Sequence, residues 1–239
     1  MRRDGATLTE DRAIDCGPEL AKAVLAGDYT RALGVCRIAL EHPEIGTQRV
    51  YQRLLLPAIR IVGQAWADDT ATFAETSLAF ALLHRLLDRL SRAQSDLHDL
   101  TKRARACQEQ ILVAVAPGDT HSFGARILTQ ELLLRGWSVS FFDHEQTDAV
   151  IAEFAKRGFA AMAISVSCDE SLAGLADFVT TCRLANRDPQ MEVLIGGAAI
   201  QPPFGQYGFL GADKVGLAID EVTTYLSGKW IERPSGKWN

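Results

Sequence analysis

The residues best suited to chemistry lie in the run Asp119-Thr120-His121-Ser122-Phe123-Gly124. The His121 imidazole can bind a metal ion through a neutral ring nitrogen. Asp119 can accept a hydrogen bond from the other nitrogen, which sets the tautomer and raises the basicity of the free one. The run follows an apolar segment, Ile111-Leu112-Val113-Ala114-Val115-Ala116, that reads as a buried strand. A strand handing over to a helix here would set the loop at the carboxyl edge of a sheet, and open α/β sheets bind ligands in that crevice. Two further features end predicted strands: Ser165-Val166-Ser167 and Gly196-Gly197. Each has a simpler explanation. A loop histidine can just face solvent, Ser165 can cap a turn, and a Gly pair can serve a turn at positive φ. A doubly wound sheet would nevertheless bring all three to one edge.

The elements that must position them fall into two halves. From about residue 110 the chain alternates short apolar runs with amphipathic segments, the pattern of a parallel α/β sheet. Strands are predicted at 111–116, 137–142, 160–166 and 191–196, with a short fifth near 213–216. Helices are predicted at 123–135, 146–157, 171–185, 199–207 and 217–227. The first half reads as helix. A helix over Glu19–Ala26 follows Pro18, and Asp28 can cap a second running to about Leu40. Thr47 can cap a third, whose Leu55, Ile59, Val62 and Trp66 form one apolar stripe. Pro57 should kink that helix or mark its first turn. Thr72 and Glu75 have the spacing of a capping box, opening a fourth helix with Leu78, Leu82, Leu86 and Leu90 on one face.

The expected architecture is α/β, a four-helix bundle cap followed by a doubly wound, Rossmann-like or flavodoxin-like parallel sheet. Its expected parts are an N-terminal segment at 1–17, the cap at 18–100, a linker at 101–109, the α/β domain at 110–228 and a loose tail at 229–239.

Composition narrows the function classes. The 239 residues carry a net charge of -5, which argues against general affinity for nucleic acid or anionic membrane. No apolar run approaches the roughly 20 residues that span a bilayer, and the N-terminus lacks the apolar core of a signal peptide. Cys16, Cys36, Cys107, Cys168 and Cys182 are odd in number and scattered. That pattern suits reduced thiols in a cytoplasm, each a small buried hydrophobe. His42, His84, His98 and His144 have no motif around them and are expected at the surface.

Asp119, His121 and Gly124, then Ser165, then Gly196-Gly197 resemble the D-x-H-x-x-G … S-x-L … G-G order of cobalamin-binding domains, over about 109–228. The helical half resembles the cap that precedes such domains. That likeness runs across Leu54-Leu55-Leu56-Pro57, Val62-Gly63-Gln64-Ala65-Trp66 and Ala74-Glu75-Thr76-Ser77-Leu78-Ala79. The resemblance implies that His121 displaces the dimethylbenzimidazole base and ligates cobalt from below, with Asp119 bonded to its other nitrogen. Thr120, Ser122, Phe123 and Gly124 complete the loop, and Gly124 gives it room. Ser165 would meet the benzimidazole, while Gly196 and Gly197 would let the nucleotide tail pass close to backbone. Trp66 would lie over the upper face of the corrin; the other reading of Trp66 is that it extends the Leu55 stripe and is ordinary core. Ser167 departs from the pattern, standing where it has Leu.

Three kinds of relative share this layout: corrinoid methyl carriers, light-sensing repressors of the LitR/CarH type, and antirepressors of the AerR/PpaA family. The light sensors carry a Trp followed at fixed spacing by Glu-His, and those positions are Thr76-Ser77 here. Their upper-face histidine ligation is therefore not carried over. Residues 1–17 are too few for a winged helix-turn-helix, so direct DNA binding by that module is not expected. The chain most resembles the AerR/PpaA family. That resemblance implies a cytoplasmic, cobalamin-binding, light-responsive antirepressor with no enzymatic activity, acting on a DNA-binding repressor of the CrtJ/PpsR type. The implied cofactor is hydroxo- or aquocobalamin, formed by photolysis of adenosylcobalamin, with haem as an alternative. The rival function is that of a corrinoid methyl carrier in a methyltransferase system.

Overall fold

The computed structural model describes residues 16–101, 110–143 and 147–231. Residues 1–15 of the expected N-terminal segment, most of the linker, His144 and the last eight positions of the tail lie outside them, as does the His98 side chain. The chain divides into two compact units that meet in sequence between Ala93 and Gln94.

The first unit is helical. Helix α1 spans Cys16–Leu25 with Pro18 in its first turn, and α2 spans Tyr29–Glu41. Asp28 caps α2, its Oδ1 accepting the Arg31 N–H at 2.9 Å. A short α3 (Gly46–Val50) runs through a π-helical turn at Tyr51–Leu55 into α4 (Leu56–Ala67). Pro57 has no N–H to give the turn before it. There the backbone widens, and the Leu56 N–H donates to the Tyr51 carbonyl.

Thr72 and Glu75 form the predicted capping box at the start of α5 (Phe73–Thr101): the Thr72 N–H reaches Glu75 Oε2 at 2.8 Å, and the Glu75 N–H reaches Thr72 Oγ1 at 3.3 Å. The Thr72 backbone N–H, and after it the Thr72 hydroxyl, hold the Glu75 carboxyl below the usual range. Glu75 is thus a capping residue. The buried face of α5 is Ala79, Leu82, Leu83, Leu86, Leu87 and Leu90, while Leu78 is 49% exposed. A strict i, i+4 ladder rotates by about 40° at each step, so it drifts off a stripe that alternates threes and fours.

The second unit is a five-stranded sheet in the order β2-β1-β3-β4-β5, parallel throughout. Its strands are β1 (Gln110–Val115), β2 (Ser138–Phe142), β3 (Ala161–Ser165), β4 (Glu192–Gly196) and β5 (Lys214–Val215). Helices α6 (Phe123–Leu134), α7 (Thr147–Lys156), α8 (Leu175–Ala185) and α9 (Ile219–Ile231) connect or follow them. Side chains alternate across the sheet, as the two-residue period of a strand requires. Leu112, Ala114, Met162, Ile164, Val193 and Ile195 share one core with Phe154 of α7 and Val179 of α8. Ile111, Val113, Ala161, Ala163 and Leu194 share the other with Leu128 and Leu132 of α6 and Leu226 of α9. Both faces are covered, which is why the strands read as unbroken apolar runs.

Three expectations need correcting. The segment at 199–207 is not a helix: Pro202 and Pro203 have no N–H to continue one, and a 3-10 turn forms later at Phe204–Leu210. The predicted helix at 171–185 is divided into a 3-10 turn at Asp169–Leu172 and α8, with Gly174 at φ 77 between them. The tail expected from Lys229 begins instead within α9, where Lys229 bonds Glu192 and its ammonium lies 3.5 Å from the Tyr225 hydroxyl.

Glu131 of α6 is fully buried; Oε2 pairs with Arg135, and Oε1 has no hydrogen-bond partner among the described residues. Burial raises its carboxyl above the ordinary value, Arg135 opposes that in part, and Asp220 adds to it. An acid raised in the folded state binds its proton more tightly folded than unfolded. Stability therefore falls as pH rises from the unfolded value through the raised one. Glu131→Gln should flatten that dependence and gain stability relative to the native protein at neutral pH, with the gain vanishing in acid; urea titrations across pH measure it. In the same unit Phe154 and Phe159 meet edge to face at 5.0 Å, both fully buried. Phe159→Ala should cost about 3–5 kcal/mol in urea denaturation.

Candidate ligand site at the sheet edge

Strand register brings the three sequence features together. Val115 pairs with Ser165, and Ser165 pairs with Gly196, in one row across β1, β3 and β4. The ladder continues one residue beyond the strands, with the Ala116 N–H on the Ser165 carbonyl at 2.9 Å and the Val166 N–H on the Gly196 carbonyl at 2.8 Å. The loops after these strands therefore leave the sheet side by side. Between β1 and β3 the strand order reverses direction, and this switch point is where a doubly wound sheet opens its binding crevice.

Asp119 organises the edge. Its side chain is fully buried, and Oδ1 accepts the His121 backbone N–H at 2.9 Å while lying 2.9 Å from His121 Nδ1. Oδ2 accepts the Ser167 N–H at 2.5 Å. The Ser167 hydroxyl donates to the His121 carbonyl at 3.4 Å. An ionised carboxylate only accepts, so Nδ1 carries the proton and the lone pair sits on Nε2. The His121 side chain is 68% exposed. The result is a basic nitrogen held in orientation and open to an incoming ligand.

The remaining predicted residues divide by role. Phe123 is buried and anchors the loop, Thr120 is exposed, and Ser122 precedes α6 without a side-chain capping bond. Gly124 packs beside Ser165, and a Cβ there would lie 3.6 Å from Ser165 Oγ, an ordinary contact distance. The Gly196-Gly197 pair has a reason internal to the fold. A Cβ at 196 would meet the Leu217 carbonyl at 2.8 Å, and one at 197, where φ is +122, would meet the Val166 carbonyl at 2.2 Å. Ser167, the departure from the S-x-L pattern, is the residue that ties the β3 loop to Asp119.

Trp66 belongs to the helical unit and does not continue its core. It is 49% exposed and meets Phe73, itself 73% exposed, edge to face at 6.0 Å. The reading of Trp66 as ordinary core is therefore overturned: α4 ends one residue later, beyond the last buried position, Val62. One neighbour of the imidazole was not expected from the sequence. Cys168, expected to be a small buried hydrophobe, is only half-buried, and its sulfur lies within 4.8 Å of ligand atoms of Asp119 and His121. Its place directly after Ser167 was the available signal. A separate cleft of about 450 Å³, lined by Asp169, Gln201, Gln206 and Phe209 among others, contains none of the predicted site residues.

The second unit is a flavodoxin-like parallel sheet with an imidazole loop at its switch point. Residues 18–91, within the helical unit, match the family described as the B12 binding domain. The fold is that of the monomethylamine corrinoid protein of Methanosarcina barkeri, with a TM-score of 0.70 at 17% identity, covering 88% of this chain and 96% of that one. The chain is also similar to an uncharacterised 20.5 kDa protein from the bchF-crtJ intergenic region of Rhodobacter capsulatus. The two are 29% identical over 172 residues, 71% of this chain and 86% of the relative. No described helix is long and apolar enough to cross a membrane.

The hydrogen bond that orients His121 should matter for any metal it binds. Asp119→Asn is expected to weaken hydroxocobalamin binding by about 10–100-fold, measured by spectral titration.

Proposed function

We propose that the protein binds cobalamin with His121 as the lower axial ligand of cobalt. It would act, without catalysis of its own, as a light-responsive antirepressor through contact with a DNA-binding repressor of the CrtJ/PpsR type. The observation that carries the cofactor assignment is the exposed His121 ring with Nδ1 held by a buried carboxylate. The surroundings fit the group. Gly124 and Ser165 are small where a nucleotide tail needs room, and His121 offers Nε2 because Asp119 takes Nδ1. Trp66 and Phe73 give the helical unit an exposed aromatic surface suited to a large flat ligand.

Bound cobalamin would supply a photolabile bond on the upper face of cobalt. The chain's part is to hold the corrin from below and to present a surface that differs between the two ligand states, since only a difference in contacts can shift a conformational population. The regulatory reading is supported by the relative's place beside crtJ. The fold of the monomethylamine corrinoid protein supports the rival reading, a methyl carrier serving a separate methyltransferase.

Absorption spectra of the purified protein with adenosyl- and hydroxocobalamin, in the dark and after illumination, test the proposal. The native protein should hold the hydroxo form after light, and His121→Ala should lose that binding. Haem added under the same conditions should not displace it. Binding that is unchanged in His121→Ala, or no binding of either cobalamin, sinks the assignment. In a gel-shift assay the loaded protein should weaken operator binding by a CrtJ/PpsR-type repressor. Methyl transfer to and from the bound cobalt, with no effect on the repressor, would establish the carrier instead.

A further inference from the structure

Asp119, His121 and Cys168 each offer a ligand atom, and these atoms all lie within 4.8 Å of one another. A carboxylate, an imidazole and a thiol are all established zinc donors, and three protein ligands plus water is the usual open zinc site. We propose that, when no corrinoid is bound, these three residues hold a thiophilic divalent cation of the Zn²⁺ class, which competes with cobalamin for His121.

Geometry and chemistry both support this. Tetrahedral bonds of about 2.0–2.3 Å place neighbouring ligand atoms roughly 3.3–3.6 Å apart. The longest separation, no more than 4.8 Å, must therefore shorten by at most about 1 Å, while Asp119 Oδ1 and His121 Nδ1, now 2.9 Å apart, must open slightly. Cys168 can make the larger movement, since the one hydrogen bond of its sulfur among the described residues is to Ser171 Oγ at 2.9 Å. Asp119 can reach the ion through one oxygen while the other keeps the Ser167 N–H. The carboxylate and a metal-bound thiolate together balance a divalent charge, and the exposed side of His121 leaves a position for water.

Cys168 also differs from the other described cysteines. Cys16, Cys36 and Cys182 are buried, and burial pushes the Cys36 and Cys182 thiols up to about 12. Those two are inert as ligands near neutral pH. Cys168 lies at the carboxyl edge of the sheet beside an oriented imidazole.

Competition with cobalamin follows from the shared histidine. An ion bound through Nε2 takes the nitrogen that cobalt needs. Bound through Nδ1, it replaces the Asp119 hydrogen bond that keeps Nε2 basic. In either case metal lowers corrinoid affinity. This consequence rests on the cobalamin reading; the cation site itself does not.

The test uses the full chain without corrinoid and Co²⁺ as a spectroscopic probe. The native protein should develop a near-ultraviolet thiolate-to-cobalt charge-transfer band that Zn²⁺ bleaches. Cys168→Ser should lose the band and weaken Zn²⁺ binding roughly tenfold or more, as expected for removal of one of three ligands. His121→Ala should also lose the band. Hydroxocobalamin titrations supply the second readout. Zn²⁺ at a concentration that just saturates the native site should weaken cobalamin binding by the native protein and have much less effect on Cys168→Ser, while Cys168→Ser without metal should bind cobalamin as the native protein does, which also shows that the variant folds. Absence of the band in the native protein, or its persistence in Cys168→Ser, overturns the proposal. The two readings fail separately. A native protein that shows the band but binds no cobalamin removes the corrinoid assignment alone, and one that binds cobalamin without the band removes the cation site alone.

Discussion

The buried carboxylate of Asp119 is the constraint on which the ligand edge depends. It takes backbone N–H groups from two different loops, those of His121 and Ser167, and it faces the imidazole as well. A buried carboxylate is costly unless its oxygens are satisfied, and here three donors converge on it. The same bonds that satisfy the charge fix where the loops after β1 and β3 lie and how the His121 ring is turned. A site built this way is oriented before any ligand arrives, which lowers the ordering cost of binding.

Beneath that carboxylate lies the parallel register of the sheet. Val115, Ser165 and Gly196 fall in one row, so loops far apart in sequence leave the sheet together. The glycine pair serves this geometry directly. Val166 donates to the Gly196 carbonyl, and the backbone at Gly197 passes so close to Val166 that no side chain fits. The residues that look like a ligand-binding signature are in part the conditions for bringing three strand ends to one edge.

In the helical unit, local signals were legible and faces were less so. Asp28 and the Thr72–Glu75 box cap their helices as their spacing implies, because capping is settled within a few residues of chain. Pro57 marks a break for an equally local reason. Burial is different. Leu78 and Trp66 belong to apolar ladders in the sequence but leave the buried face, since which side of a helix is covered depends on its neighbours and on where it stops. The 3-10 turn at Phe204–Leu210 was missed for a related reason: the apolar and small residues around it read as helix until the two prolines are given their full weight.

The sequence by itself determined the alternation of buried strands and amphipathic helices, the caps, and the metal-competent pairing of Asp119 with His121 two residues on. These rest on short-range periodicity and on the chemistry of single side chains. Tertiary structure alone decided that Ser167 bonds Asp119 across 48 positions of chain, that Trp66 is exposed, and that Cys168 stands beside the imidazole. Such contacts depend on strand order, register and the path of loops. A linear pattern does not encode them, because any of several registers would bury the same apolar residues.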